Sequence, residues 1–389
     1  MSRVVSLLLL AAAVAAAQVA GDDWSPLRQR ATSLVAQGKY AAAEPLLTRA
    51  LDLLERKDGA DGPALVPLVS ELAAVYRAEG RNPEAEKAYQ RCIALKARLY
   101  GDESVQLIPD LKLLATLYAG MGRQQDAEKQ YLRAISIRIN AKGTDDLDLA
   151  KDCTEFAAYY IAQKRFALAQ PNLERAVAII EKRLGPEDPS LVPVLDSLAT
   201  VFMEQKDYPP AEAPLRRAIS IQESANGPSH VKVAPLLDRL AMLFYLQKRY
   251  ADAEALYRRS LAIWEASMRP DNPDLVTTLE NLAVVLASQE KFEDAEPLYR
   301  RSLALRGKTT IAGINNLAMV LEGQGQDIAA ERQYRMAAAL ADKLPVISGV
   351  DTEIVAKMFE NYAALLRKLK RNDEAKRIET RAKSFAKPK

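Results

Sequence analysis

The chain is poor in the residues that build metal and redox centres. Among its 389 residues it has one histidine, His230, and two cysteines, Cys92 and Cys153. A metal site needs several such ligands at fixed spacing, and His230 has neither a second histidine nor a neighbouring cysteine. The sequence therefore predicts no metal centre and no bound cofactor, and His230 is interpreted as a loop residue.

Motifs that carry catalysis are also missing. The sequence has no Gly-x-Ser-x-Gly motif and no dinucleotide fingerprint. The segment Gly307-Lys308-Thr309 resembles the end of a phosphate-binding loop, but Ser302 stands where that loop needs its first glycine. We therefore predict no catalytic residues and no enzymatic activity.

Long apolar runs are scarce. The run at residues 4–17, interrupted only by Ser6, covers fourteen residues, whereas a membrane-spanning helix needs roughly 20. Arg3 before the run and Ala15-Ala16-Ala17 at its end are typical of a secretory signal peptide. We predict a signal peptide at 1–17, a short linker at 18–23, export to a bacterial periplasm or the extracellular space, and no membrane span. An uncleaved anchor helix is the alternative.

Charge of one sign is in small excess. The formal net charge is +3, but residues 367–389 hold ten Lys and Arg against three Asp and Glu. This predicts a mildly acidic body and a basic C-terminal capping helix or tail at 367–389. Contact between this tail and an anionic surface is the alternative, and no nucleic-acid partner is predicted.

A repeat of 42 residues organises the rest of the chain. Seven anchor positions follow one another at intervals of 42 residues, and two further anchors follow after steps of 35 and 45: Gly38, Gly80, Gly122, Lys164, Lys206, Lys248, Glu290, Gly325 and Lys370. Alanine follows every anchor by five positions and precedes every anchor by seven. A fixed period of this kind is the signature of stacked supersecondary units.

Each repeat has the pattern of two amphipathic helices. Large apolar residues recur at helical spacing on both sides of the anchor, as with Leu198 and Phe202 before it and Tyr257 and Leu261 after it. The anchor is predicted to be a tight turn, and the alanines to lie where helices cross at about 8 Å. Glycines 21 positions after the first anchors are predicted to end the second helices in a left-handed conformation. Strand signals are absent.

Two cysteines in an exported protein also raise the question of a disulfide. Cys92 falls at a buried helix position where other repeats have alanine or serine, and Cys153 lies two hairpins further on. We interpret both as small core residues.

The repeats resemble a known family. A small residue before the turn, an aromatic after it and two fixed alanines resemble the tetratricopeptide repeat (TPR) consensus. The longer unit, in LGPEDPSLVPVLDSLATVF (184–202) and ADAEALYRRSLAI (251–263), is similar to the 42-residue repeats of kinesin light chains and their bacterial relatives. The resemblance covers 24–386 and implies an all-α, right-handed superhelical solenoid of about nine TPR hairpins. For function it implies protein or peptide binding along the concave face.

Candidate binding residues follow from that register. Asn281, Asn316 and Asn361 stand nine positions before the last three anchors, and Asn315 is beside the second. An amide both donates and accepts, so such a row can hydrogen-bond the backbone of an extended peptide. A solvated polar face is the alternative. Flexible or aromatic side chains on the same helices would suit a tolerant apolar surface: Met242, Tyr245 and Met319.

These observations lead to a functional prediction. The chain is predicted to be a non-enzymatic scaffold that binds a protein or extended peptide in its groove. A self-associating structural component of a cell-envelope assembly is the alternative.

Two further predictions concern the framework. The short step from Glu290 to Gly325 removes seven residues from the end of a second helix, so we expect a bend beginning near Gly307. Arginine lies eleven positions after eight of the nine anchors. Because that position is on the outer helix, we interpret it as a framework residue whose stem covers apolar surface.

Overall fold

The computed structural model describes residues 23–267, 272–306, 310–343 and 349–386. The predicted signal peptide at 1–17, most of the predicted linker and the predicted bend near Gly307 lie outside these residues. Within them the regular secondary structure consists of 18 α-helices and three single 3₁₀ turns, with no strand. The all-α prediction is confirmed.

The chain divides into two compact units, residues 1–185 and 186–389. Unit 1 contains four helical hairpins, numbered 1 to 4 in chain order: α1 (Ser25–Ala36) and α2 (Tyr40–Asp58), α3 (Leu65–Ala78) and α4 (Asn82–Tyr100), α5 (Ile108–Gly120) and α6 (Gln124–Lys142), α7 (Leu147–Ala162) and α8 (Phe166–Leu184).

Unit 2 contains five more hairpins, numbered 5 to 9: α9 (Leu191–Glu204) and α10 (Glu212–Asn226), α11 (Ala234–Leu246) and α12 (Tyr250–Ala266), α13 (Pro273–Ser288) and α14 (Phe292–Arg306), α15 (Ile311–Gly323) and α16 (Asp327–Ala341), α17 (Gly349–Lys368) and α18 (Asn372–Ala386). Within each unit the hairpins stack as a TPR-type solenoid. In the part of the chain that the structure describes, no helix has the length and apolar character to cross a membrane.

Every predicted anchor adopts the left-handed conformation. The backbone φ at the nine anchors lies between 57° at Lys164 and 74° at Gly325. Glycine reaches this region without strain, whereas a residue with a Cβ does so at a cost of roughly 1–2 kcal/mol. Five of the nine anchors are lysine or glutamate and therefore carry that cost.

The glycines after the second helices behave differently from the prediction. Gly59, Gly101, Gly143, Gly185 and Gly227 all have positive φ, between 81° and 100°. Their ψ values, such as 171° at Gly59 and 154° at Gly227, are extended. The chain therefore leaves each helix in a conformation that only glycine adopts readily, and the left-handed helical cap was predicted wrongly.

The repeated alanines form the helix crossings. All nine alanines five positions after an anchor are 0% exposed, and those seven positions before an anchor are at most 2% exposed. Packing at these positions leaves no room for a larger side chain, which confirms the crossing prediction. Cys92 and Cys153 are free and buried, as predicted for small core residues.

An ion pair that we name the turn clamp joins successive hairpins. The basic residue one position after an anchor binds the glutamate six positions after the previous anchor, as in Arg81–Glu44 at 2.7 Å and Lys291–Glu254 at 2.8 Å. The same contact recurs within the units: Arg123–Glu86, Arg165–Glu128, Arg249–Glu212 and Arg371–Glu331. Between hairpins 7 and 8, Gln324 Nε2 donates to Glu296 at 3.0 Å.

Cation–π contacts add to the clamp. The Arg123 guanidinium lies 4.2 Å from the ring centroid of Tyr118, and that of Arg249 lies 3.8 Å from Phe244. An aromatic face attracts a cation in this geometry.

The arginines eleven positions after the anchors have framework contacts. Arg91, Arg301 and Arg381 pair with acidic residues of the preceding hairpin: Glu55, Glu265 and Asp342. Arg259 also binds the carbonyl oxygen of Pro228 at 2.9 Å. These contacts agree with a structural role.

Candidate functional site

The first helices of unit 1 hold their charges in partly buried ion pairs. Asp152 on α7 is 2% exposed and accepts hydrogen bonds from Lys112 Nζ and Arg138 Nε, each at 2.9 Å. Asp110 on α5 is equally buried and pairs with Lys96 at 2.5 Å. Burying a carboxylate requires such partners, so these charges are committed to the framework.

One pairing recurs along the first helices. A residue ten positions before an anchor contacts the residue nine positions before the next anchor. We call this the cross-hairpin slot. In unit 1 it holds Arg28–Glu71 at 2.8 Å and Lys112–Glu155 at 2.7 Å.

The slot continues in unit 2. Asp196–Arg239 is an ion pair at 2.5 Å. Between hairpins 8 and 9, however, the slot holds two amides, with Asn361 Nδ2 donating to Asn315 Oδ1 at 3.0 Å. The slot can therefore be filled by charges or by uncharged polar groups.

Asp238 on α11 is a buried carboxylate with uncharged donors. It accepts from Thr278 Oγ1 at 2.7 Å and from Trp264 Nε1 at 3.4 Å, while its Oδ1 has no hydrogen-bond partner. Burial raises the pKa of this carboxyl above its ordinary value because desolvation disfavours the charged form.

The first helices of hairpins 7, 8 and 9 surround a cavity of about 700 Å³. We call it the C-terminal cavity. Its wall combines apolar side chains with polar groups, and its volume lies within the 300–1,000 Å³ that is usual for a ligand site. The lining residues are Tyr245, Val284, Ala287, Ser288, Phe292, Tyr299, Asn316, Met319, Val320, Glu322, Gly323, Asn361, Ala364 and Lys368.

Small residues keep the cavity open. Gly323 lies against the Phe292 ring, and a Cβ at that position would come within 2.6 Å of a ring carbon. The aromatic ring can therefore pack there only because position 323 has no side chain. Ala287, Ser288 and Ala364 line the same cavity with equally short side chains.

An amide network forms one side of the cavity. Asn361 Nδ2 donates to Asn315 Oδ1 at 3.0 Å, and Asn315 Nδ2 donates to Asn316 Oδ1 at 3.3 Å. The sulfur of Met319 lies 3.4 Å from Asn361 Nδ2 and 3.6 Å from Asn315 Nδ2. Met319 is itself 48% exposed, so its thioether forms part of the accessible wall.

Charged groups lie at the other end of the cavity. Lys368 Nζ binds Asp327 Oδ1 at 2.6 Å, and this contact raises the lysine pKa. Burial raises the pKa of the Glu322 carboxyl, against the opposing effect of Lys368. Because Lys368 is already paired, the end of the cavity carries a net negative charge when Glu322 is ionised.

The structure brings together most of the residues predicted from the sequence. The cavity is lined by Asn316, Asn361, Met319 and Tyr245. Asn315, which is 9% exposed and not part of the lining, is hydrogen-bonded to both Asn316 and Asn361. Asn281 on α13 and Met242 on α11 are half-buried and do not contribute to the lining.

Sequence reasoning missed the rest of the wall. Phe292, Gly323, Glu322 and Lys368 line the cavity, yet none was selected as a binding residue. The repeat register could have indicated these residues. On the first helices, most residues that line the cavity stand nine, six, three or two positions before the anchor of their own hairpin. Small residues at those positions, such as Ala287 and Gly323, mark where the groove opens.

Unit 1 has a smaller groove on the equivalent face of α1. It measures about 440 Å³ and is lined by Trp24, Arg28, Gln29, Thr32 and neighbouring residues. Arg28 and Thr32 are both bound to Glu71 there. Among the described residues no group of three or more His, Cys, Asp or Glu side chains could hold a metal ion.

Comparison with known proteins identifies the family. The family model described as tetratricopeptide repeat matches residues 65–140, 152–224 and 232–308, which is more than half of the chain. The chain belongs to the tetratricopeptide repeat family. TPR proteins bind proteins or peptides and are generally non-catalytic scaffolds. No curated protein matches this chain significantly.

Solved structures show the same fold. BtubC (BKLC) from P. vanneervenii is 24% identical, with 58% of this chain and 91% of that chain covered at a TM-score of 0.50. A kinesin light chain with nearly identical TPR-like repeats from Podosopora anserina is 22% identical, covering 50% and 94% at a TM-score of 0.46. RapI in its apo form is 15% identical, covering 93% and 97% at 0.58. The likenesses at a TM-score of 0.50 or more show the helical-repeat fold.

Proposed function

We propose that this TPR protein is a non-enzymatic scaffold that binds an extended segment of another polypeptide in the C-terminal cavity. The observation that carries the proposal is the convergence of three successive first helices, α13, α15 and α17, on one cavity of about 700 Å³. Binding within a TPR array is the general activity of the family, and the lining of this cavity combines apolar side chains with amides.

The wall fits an apolar side chain. Val284, Phe292, Val320 and Ala364 offer apolar surface, and Met319 is unbranched and can adjust to different shapes. Burial of one large apolar side chain of the ligand contributes about 1.5–3 kcal/mol. The peptide is therefore expected to be anchored by a leucine, methionine or aromatic residue.

The polar groups fit a peptide main chain. Asn316 and Asn361 face the cavity, and amides can serve both the N–H and the C=O groups of an extended backbone. Lys368 is bound to Asp327 at 2.6 Å, so no unpaired lysine is offered to a terminal carboxylate. These contacts support an internal segment as the ligand.

Peptide display followed by affinity measurement tests the proposal. The purified protein is used to select peptides from a random display library, and the selected sequences are measured as fluorescein-labelled peptides by anisotropy. Ala364→Trp should fill the cavity and weaken binding at least tenfold, since it removes space that the anchor residue needs. Asn316→Ala and Asn361→Ala should each weaken binding about threefold to tenfold.

Matched controls lie on the same helix face. Ala158 is exposed and stands six positions before its anchor, as Ala364 does, so Ala158→Trp should leave affinity unchanged. Asn281→Ala removes an amide outside the cavity and should also leave the peptide affinity unchanged. Selection of no peptide, or equal affinity for Ala364→Trp and the wild type, would refute the proposal.

We also propose export to a bacterial periplasm or the extracellular space. The support is the apolar run at residues 4–17 with Arg3 before it and Ala15-Ala16-Ala17 at its end. Fusion of residues 1–24 to a reporter enzyme that is active only after export should give activity. Replacing Leu8 and Leu9 by arginine should abolish that activity, and activity that persists would contradict a signal peptide.

A further inference from the structure

We propose that Asn315 is a positioning residue that orients the two cavity amides, so that the C-terminal cavity presents one acceptor and one donor to a peptide main chain. This inference rests on the proposed function. It adds which cavity amide meets an N–H group of the bound main chain and which meets a C=O group. Asn315 does not line the cavity; it lies behind it, 9% exposed.

The hydrogen-bond inventory of the network leads to this assignment. An amide side chain has two N–H donors and one oxygen acceptor with two lone pairs. Both donors of Asn361 are used, toward Asn315 Oδ1 at 3.0 Å and the Met319 sulfur at 3.4 Å. The oxygen of Asn361 is therefore the group left for a ligand.

Asn316 has the opposite polarity. Its Oδ1 accepts from Asn315 Nδ2 at 3.3 Å, which leaves its Nδ2 donors for a ligand. The cavity thus offers an acceptor from α17 and a donor from α15. An extended peptide main chain, with N–H and C=O groups in alternation, matches this pair; a simple cation or carboxylate matches only half of it.

Position 315 is the first member of a cross-hairpin slot. In other hairpins the slot holds a charged residue, such as Arg28 or Lys112. A cation at 315 would supply donors alone and could not accept from Asn361. The neutral amide is what allows one residue to accept from Asn361 and donate to Asn316 together.

The isosteric change Asn315→Asp tests the assignment. Ionised aspartate only accepts, so it keeps the contact from Asn361 but cannot donate to Asn316. We expect Asn316 to turn its Nδ2 toward position 315, which leaves the cavity with two acceptors. Affinity for the strongest peptide selected on the wild type should fall about tenfold at pH 7.5.

Low pH provides a readout that a purely structural role would not change. Protonated aspartate is a donor again, and burial at position 315 favours the protonated form, so the ratio of variant to wild-type Kd should return toward 1 as the pH falls from 7.5 to 4. Taking the ratio at each pH removes the shared titration of Glu322 and of the Lys368–Asp327 pair. Asn281→Asp, the same change outside the cavity, should bind within about twofold of the wild type at every pH.

The outcomes separate the two proposals. If the wild type binds no peptide, the proposed function fails and this inference fails with it. If the wild type binds and Asn315→Asp binds equally well, or if its loss does not recover at low pH, the positioning role is overturned while the proposed function stands. Thermal unfolding of each variant accompanies the binding measurements, and a variant that does not fold is replaced by Asn315→Ala, which can neither donate nor accept and should lose affinity without recovery at low pH.

Discussion

The cross-hairpin slot of hairpins 8 and 9 differs from the ion-paired slots of unit 1 and from Asp196–Arg239 in unit 2. In unit 1 the cross-hairpin slot holds Arg28–Glu71 and Lys112–Glu155, and the charges are neutralised within the framework. In the last hairpins of unit 2 it holds Asn315 and Asn361, beside a cavity. Neutral amides in the slot leave hydrogen-bonding groups for a ligand, whereas ion pairs consume them. The repeat thus supplies the scaffold, and the content of the slot decides which polar groups of the first helices remain unpaired.

The largest expected effect comes from breaking a buried pair of unit 1. Asp152→Ala should destabilise the protein by about 3–5 kcal/mol, because Lys112 and Arg138 would be left without their buried acceptor. Urea unfolding followed by circular dichroism measures the loss. Glu155→Ala removes the more exposed partner of the same lysine and should cost at most about 1 kcal/mol. Equal losses from both changes would show that burial of Asp152 is unimportant.

Replacing the two amides of the slot by an ion pair would give hairpins 8 and 9 the same kind of slot as Arg28–Glu71. The double change Asn315→Arg and Asn361→Glu reproduces the Arg28–Glu71 pair in hairpins 8 and 9. Peptide affinity should fall at least tenfold, about 1.4 kcal/mol, because the cavity loses its amide oxygen and gains a charge. Anisotropy and a thermal melt measured together check this. Retained affinity in a folded variant would show that the amides are dispensable.

The anchors offer a smaller test. Unit 1 has glycine at Gly38, Gly80 and Gly122, whereas unit 2 has Lys248 at φ 61° among several non-glycine anchors. Lys248→Gly should stabilise the protein by about 1 kcal/mol, since it relieves left-handed strain. Gly80→Ala should destabilise by a similar amount. Unfolding midpoints in urea measure both, and changes of the same sign would contradict the strain argument.

The smallest expected effect concerns how the stability of the protein depends on pH through Asp238 in unit 2. Burial raises the pKa of Asp238, so the folded state keeps this proton at a higher pH than the unfolded state does. Its contribution to the unfolding free energy therefore falls as pH rises from the ordinary aspartate value through the raised pKa. Asp238→Asn should remove that slope and change stability at pH 7 by less than about 1 kcal/mol. Thermal melts of the wild type and of Asp238→Asn between pH 4 and 7 measure how their stabilities diverge. If stability depended on pH equally in both proteins, the raised pKa of Asp238 would be contradicted.

Much of the fold could be predicted because the repeat is explicit. The alanine positions and the anchor turns follow from side-chain size and backbone conformation, which act locally. The turn clamp was missed because Arg81 and Glu44 lie 37 residues apart, and pairing between hairpins depends on their stacking register. By contrast, the ion pairs Glu296–Arg300 and Glu331–Arg335 join residues four positions apart on one helix, which is a local spacing that the sequence shows directly.

The candidate site was predicted less completely than the fold. The asparagine row pointed to the three first helices that line the C-terminal cavity, because amides recur at one register position. Asn281 and Asn316 look equivalent in the sequence, yet only Asn316 lines the cavity. The difference arises from neighbours on other helices, such as Phe292 against Gly323. A cavity is defined by what several hairpins leave empty, and no single repeat contains that information.

The turn clamp also bears on how such a chain changes over time. Each clamp joins residues about one repeat apart, for example 37 positions for Arg123 and Glu86. A duplicated hairpin would therefore bring its own basic residue and its own glutamate, and both new junctions would be complete at once. Lengthening the array by whole units requires no compensating change elsewhere, which leaves the residues of each slot free to diverge toward a new ligand.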